Sequence, residues 1–330
     1  MRQITGIIFW GILSISISCA QKQAYHWYFG SRGGLDFSSG SPVVTYSPAS
    51  NPIFLAREGS ACISDLDGNL LFYTNGGQFA VSILHLGGLW NANHEMMDPY
   101  FISSSSGSSS AMQPGIFIPK PGSITQYYLF TLDSYENNRC ENGLHYTLID
   151  KTLNGGLGGI VERDIWVTGT SWELREGMTT VKHDNGMDYW IIVTLDNGTG
   201  FRVVCVSDTG ITSITNYTVP ITSAWTVIKA SPDRNKIATA YEIYDFDAST
   251  GVISNRVLLN ADAEEWIAAF SPNSRFFYQT EKQSNYRYAD LYQYDLEAAN
   301  IQASRLTIGT IGDGTPIYDD GGAQIGPDGK

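Results

Sequence analysis

Ala230-Ser231-Pro232-Asp233-Arg234-Asn235-Lys236-Ile237-Ala238-Thr239 and Phe270-Ser271-Pro272-Asn273-Ser274-Arg275-Phe276-Phe277-Tyr278-Gln279 are two copies of one pattern, their prolines 40 residues apart. Each reads as a strand end, a Pro-Asp or Pro-Asn turn and a second apolar strand. Proline presets φ at the second position of a turn, and Asp or Asn bonds the backbone just beyond it. A second hairpin follows each copy, over residues 243–253 and 291–301. Two hairpins make four antiparallel strands, the unit of a propeller blade. The turn opens a third time at Ile325-Gly326-Pro327-Asp328-Gly329-Lys330.

Looser copies lie upstream. Thr180-Val181-Lys182-His183-Asp184-Asn185-Gly186 leads into Met187-Asp188-Tyr189-Trp190-Ile191-Ile192-Val193, and residues 201–211 form its second hairpin. Ile116-Phe117-Ile118-Pro119-Lys120-Pro121-Gly122 leads into Tyr127-Tyr128-Leu129-Phe130, answered by residues 145–150. The earliest copy runs from Ala61 through Asp65-Leu66-Asp67-Gly68 to Thr74. Equating Phe72, Tyr128, Trp190, Ile237 and Phe277 gives spacings of 56, 62, 47 and 40 residues, which bracket the ~40–50 residues of common blades. A two-sheet sandwich does not naturally repeat two hairpins in this way. The expected fold is all-β, a β-propeller of six or seven four-stranded blades, with the last blade truncated at Lys330. Residues 24–46 are expected to add a closing strand to that blade. An exposed strand edge, with poor solubility, is expected near residues 321–330. No window sustains a 3.6-residue period, and the serine-rich residues 103–110 read as a loop inside the array rather than a domain linker.

Composition agrees with many turns between aromatic strands. There are 34 Gly with 19 Tyr, 14 Phe and 8 Trp. With 42% hydrophobic and 16% charged residues the chain is not a disordered, solvating one. A net charge of −13 argues against nucleic acid or an anionic membrane as partner. Met1-Arg2-Gln3 and the apolar residues 4–17 read as a secretory signal, too short for a comfortable membrane span. Residues 1–20 are therefore expected to be removed between Ala20 and Gln21. The competing reading makes Ser16-Ile17-Ser18-Cys19 a loose lipobox with Cys19 lipidated. The remaining chain, 21–330, is expected to be one exported propeller with no membrane span. Of Cys62, Cys140 and Cys205, the first and last sit in strand-like runs and Cys140 is expected to be exposed; three thiols allow at most one intrachain pair.

Three further stretches carry a family resemblance: Trp27-Tyr28-Phe29-Gly30 with Gly34-Leu35-Asp36-Phe37, then Ser64-Asp65-Leu66-Asp67-Gly68-Asn69-Leu70-Leu71-Phe72-Tyr73-Thr74-Asn75-Gly76, then Leu89-Trp90-Asn91-Ala92-Asn93-His94-Glu95. With Leu153-Asn154-Gly155-Gly156-Leu157-Gly158 and His183-Asp184-Asn185-Gly186-Met187-Asp188-Tyr189-Trp190, the chain resembles the N-terminal β-propeller region of secreted Bacteroidetes proteins associated with gliding motility and type IX secretion. The resemblance spans nearly all of residues 21–330 and implies an extracellular or outer-surface protein whose propeller binds or displays. The C-terminal sorting domain of that family is absent from this sequence, which puts translocation by that route in doubt and suggests the front of a longer protein.

Chemical motifs are sparse. The five histidines have no metal-ligand spacing, and neither a P-loop nor a Gly-x-Ser-x-Gly elbow occurs. Asp65-Leu66-Asp67-Gly68-Asn69 starts like a calcium loop, but the twelfth position is Gly76 instead of a carboxylate. Trp90, Asn91, Asn93 and His94 form the most unusual polar-aromatic cluster. An aromatic beside amides can stack on a sugar and bond its hydroxyls; the plainer reading is a blade-edge Trp with amides serving the loop backbone. The sequence therefore predicts a monomeric, non-enzymatic module binding a protein or glycan at the cell surface, with no cofactor, no metal and no catalytic residues. The alternative is a secreted hydrolase or lyase acting on glycans or lactones, with its site in the central channel.

Overall fold

The five positions equated above all fall on the second strand of successive sheets, and each lies across from an apolar residue of the first strand. The pairs are Phe72 with Ile63, Tyr128 with Ile118, Trp190 with Val181, Ile237 with Ala230 and Phe277 with Phe270. The computed structural model describes residues 19–329 except 50–52, 78–86, 98–106, 138, 171, 224–225, 260–267, 283–287 and 312–323. Within it six antiparallel sheets stand in a ring, a six-bladed propeller.

The first blade is β1 (His26–Phe29), β2 (Gly33–Asp36) and β3 (Val43–Tyr46). The second is β4 (Ala61–Ser64), β5 (Leu70–Thr74) and β6 (Leu89–Asn91). The third is β7 (Gly115–Pro119), β8 (Gln126–Leu132), β9 (Leu144–Asp150) and β10 (Gly159–Thr168). The fourth is β11 (Leu174–Lys182), β12 (Tyr189–Leu195), β13 (Gly200–Ser207) and β14 (Gly210–Thr218). The fifth is β15 (Lys229–Ala230), β16 (Lys236–Ala238), β17 (Glu242–Asp247) and β18 (Val252–Leu258). The sixth is β19 (Ala268–Phe270), β20 (Phe276–Lys282), β21 (Ala289–Asp295) and β22 (Leu306–Ile311). Among the described residues four blades thus carry four strands and two carry three. There is no α-helix among them, and no helix is long and apolar enough to cross a membrane.

The cores lie between blades. Tyr128 and Phe130 of the third pack against Met178, Ile191 and Val193 of the fourth. Trp190, Phe201 and Val203 of the fourth meet Ile237, Tyr244 and Phe246 of the fifth. The second to fifth sheets thereby bury both faces, one against each neighbour, which explains apolar runs such as Tyr189–Leu195 in place of strict alternation.

The repeated turn has one geometry throughout. Arg234, Ser274 and Gly329 donate backbone N–H bonds of 2.9 Å to Ser231, Ser271 and Gly326, all three with left-handed φ between 59° and 74°. The Ser231 and Ser271 hydroxyls accept the N–H of Lys236 and Phe276, so the Ser-Pro pair closes the hairpin from both ends.

Several expectations are corrected. Residues 24–46 do not extend the last blade: β1 pairs with β2, and it sits innermost in its own blade beside β4. The Ser60 hydroxyl donates to Tyr28 O there (2.6 Å), and Tyr28 N–H points at Cys62 Sγ. Cys140 is fully buried, because the loop after β8 folds inward around Asp133; Cys62, Cys140 and Cys205 are free thiols. Ser108, Ser109 and Ser110 are likewise buried, in the connection between the second and third blades. Of the expected edge at 321–330, residues 321–323 and 330 lie outside the described residues, and the rest forms the turn at Gly326–Gly329 without a strand. Strands β10 and β22 had no sequence signal of their own; β22 returns only at Leu306, after a loop tied by Asp295 N–H to the Ser304 hydroxyl.

Candidate functional site

Trp90, at the heart of the sequence-predicted cluster, is fully buried. Its indole stacks on Tyr73 at 5.5 Å and meets Phe54 edge-on, so the ring is not offered to a ligand. The Asn91 side-chain oxygen Oδ1 accepts the N–H groups of Asn93 and Glu95, closing its own loop. His94 Nδ1 bonds the Tyr73 hydroxyl (3.0 Å), and burial, then the nearby His26, lowers its pKa. Only Asn93 remains exposed. The four residues are together in space, but as the clasp of the second blade.

A different constellation gathers where the innermost strands begin. That end of the channel receives the segments entering β4, β7, β11 and β15 and the loops leaving β8 and β12. The backbones approach closely. A Cβ on Gly76 would lie 2.1 Å from the Pro114 side chain, and one on Gly177 2.6 Å from Thr226 O. Gly76, where a calcium loop would need its carboxylate, is glycine because no other residue fits at its φ of +89°.

Gln113 ties three blades. Its Oε1 accepts Met178 N–H (3.0 Å) and Ile228 N–H (2.7 Å), and its Nε2 donates to Ile228 O (2.9 Å). The side-chain amide thus pairs with Ile228 as a strand peptide would, reaching from the third blade to the fifth.

Glu176, on innermost strand β11, is 3% exposed. One carboxyl oxygen accepts Tyr135 N–H (2.6 Å) and the other Met112 N–H (3.1 Å), both from the third blade. Burial pushes its pKa up to about 8; the two N–H groups oppose this, and the charges of Glu136 and Glu58 reinforce it. Arg175 pairs with Asp196 (2.6 Å) and lies over the Tyr135 ring. Glu58 accepts the Ser110 hydroxyl. The Ser109 and Ser134 hydroxyls, both buried, have no hydrogen-bond partner among the described atoms, a polar deficit that a bound molecule would relieve.

The loop that supplies Tyr135 is held from behind. Asp133, raised by burial, accepts the side-chain amides of Asn137 and Asn142 and the Asn142 N–H. His145 bonds Asn142 O and pairs with Asp164 at 3.0 Å; burial is the largest single influence and lowers its pKa, but the Asp164 bond and charge with the backbone bonds together outweigh it and the net shift is upward. Among the described residues no group of three or more His, Cys, Asp or Glu is placed to hold a metal. The constellation escaped the sequence reading because its members are scattered from Glu58 to Ile228. The one local signal was Arg175-Glu176, two adjacent charges in a strand whose first six residues are buried.

No family model and no curated protein matches the sequence. The fold is similar to two solved structures. One is a candidate 6-phosphogluconolactonase from Bacteroides uniformis (9% identity, TM-score 0.51, covering 85% of this chain and 78% of that one). The other is a candidate 6-phosphogluconolactonase from Bacteroides fragilis (9%, 0.50, 87% and 81%). At such identity the likeness defines the architecture alone.

Glu176 also links folding to pH. An acid whose folded pKa is raised contributes its stability fully below the unfolded value, here 4.5, and loses it as pH rises through about 8. Thermal unfolding between pH 4.5 and 9 should show Tm falling across that window, and Glu176→Gln should flatten the fall. An unchanged slope in the variant would refute the assignment.

Proposed function

We propose that the protein is a propeller hydrolase acting on a lactone or glycan, with Glu176 as its general acid at the entry end of the channel. The observation that carries the reading is a buried carboxyl on an innermost strand, kept protonated at neutral pH beside the carboxylates of Glu58 and Glu136. A neutral carboxyl near physiological pH can give its proton to a departing ring or bridging oxygen as water adds, the pattern by which pairs of carboxyl groups divide acid and base roles. The likeness in fold to proteins described as lactonases agrees with this choice.

A second reading, the non-enzymatic binding module, is favoured by one fact: both Glu176 oxygens accept backbone N–H groups, as in a structural latch. A panel of sugar lactones and oligosaccharides separates the two. The hydrolase reading expects turnover that declines above about pH 8 and falls ~10²–10⁴-fold in Glu176→Gln with folding retained. Absence of turnover across the panel, or an active Glu176→Gln, would leave the latch reading.

Export to the cell surface belongs to the same proposal, supported by the residue 4–17 apolar segment and the resemblance to gliding-motility-associated propellers. Mass spectrometry of the protein from its native host should find Gln21, or lipidated Cys19, at the N-terminus; a retained Met1 would contradict export.

A further inference from the structure

We propose that Arg139 and Trp172 form a subsite for the carboxylate of an acidic sugar, beside the mouth just described. The Arg139 guanidinium stacks over the Trp172 indole at 3.2 Å from the ring centroid, with Tyr135 on its flank at 5.3 Å. Tyr135 is the residue whose N–H holds Glu176, so the stack borders the proposed acid.

Three observations set this arginine apart. First, it is unpaired in a strongly acidic chain. Arg175, Arg202, Arg234, Arg256 and Arg275 each pair with a carboxylate. The Arg139 guanidinium has neither an ion pair nor a hydrogen bond among the described residues, despite 33 Asp and Glu in the sequence. Second, the stack is held by unfavourable backbone. Arg139, Cys140 and Trp172 all have left-handed φ, of +61°, +57° and +74°, which non-glycine residues adopt at a cost. The Trp172 N–H bond to Arg139 O (3.1 Å) clamps the two segments together. Backbone strain kept in place by surrounding contacts is a mark of binding sites. Third, stacking occupies the face of the guanidinium and leaves its donors, which lie in its plane, for a planar acceptor. A carboxylate takes two of them side by side.

The indole decides what carries the carboxylate. Trp172 is 52% exposed, offering apolar surface next to the fork. A pyranose presents a C–H face to such a ring while its acid group reaches the arginine. A uronate carries both features in one ring. This subsite deepens the hydrolase reading by naming its substrate class, but binding does not require Glu176 to turn the ligand over.

The test is calorimetric titration with trigalacturonate and with neutral maltotriose, at fixed salt. The expected result is binding of the acidic trimer at least tenfold tighter than the neutral one. Arg139→Gln should erase that preference, and Trp172→Ala should weaken the acidic trimer tenfold or more. Arg139→Lys, which keeps the charge and guards against a folding artefact, should retain part of the preference. Equal binding of the two trimers, an unaltered preference in Arg139→Gln, or equal displacement of the trimer by inorganic phosphate would overturn the proposal. Trigalacturonate that binds without any panel compound being hydrolysed would keep the subsite and remove the hydrolase reading; turnover of neutral lactones with no uronate preference would do the reverse.

Discussion

The bonds that Gln113 and Glu176 make across blade boundaries organise the end of the ring where the innermost strands begin. A propeller blade is stable against its neighbours through apolar faces, and those faces are non-directional. Polar ties fix where the innermost strands meet. Gln113 substitutes its amide for a missing strand partner at Ile228 and holds Met178 with the same oxygen. Glu176 then fastens the fourth blade to the third through two backbone N–H groups. Because those ties occupy the channel's entry end, the acid must be buried, and burial is what keeps it protonated. Structural constraint and candidate chemistry share one cause.

The neighbouring loop follows from the same geometry. Residues 133–137 and 139–143 turn inward because Asp133 gathers the Asn137 and Asn142 amides and His145 holds Asn142 from the next strand. That inward course buries Cys140, stands Tyr135 against Arg175 and delivers Arg139 to Trp172. One loop thus supplies a donor to the acid and an unpaired guanidinium beside it.

Legibility in the sequence tracked locality. The Ser-Pro-Asp/Asn turns before Ile237 and Phe277 are local, since hydroxyl, proline ring and backbone bonds all lie within six residues, and the second strands were placed correctly from Phe72 to Phe277. Strands β10 and β22 were invisible because bulges in β10 and a ten-residue loop before β22 break the periodicity. The position of β1 depends on its contacts with β4, which no local pattern encodes. At the site, the Trp90 cluster drew attention through composition, yet its indole is buried and the Asn91 side chain is bonded within its own loop. Glu176 lies in a strand whose neighbours come from the third and fifth blades, so its environment could not be read from Leu174-Arg175-Glu176-Gly177 alone.

The central claim is that the inter-blade tie holds a protonated carboxyl at the mouth of the channel. Carbon-13 NMR of side-chain-labelled glutamate, assigned by Glu176→Gln and followed from pH 3 to 10, observes that proton directly. The account predicts a Glu176 midpoint near 8, well above the ordinary 4.5 of a glutamate. A midpoint near 4.5 in the folded protein would contradict it.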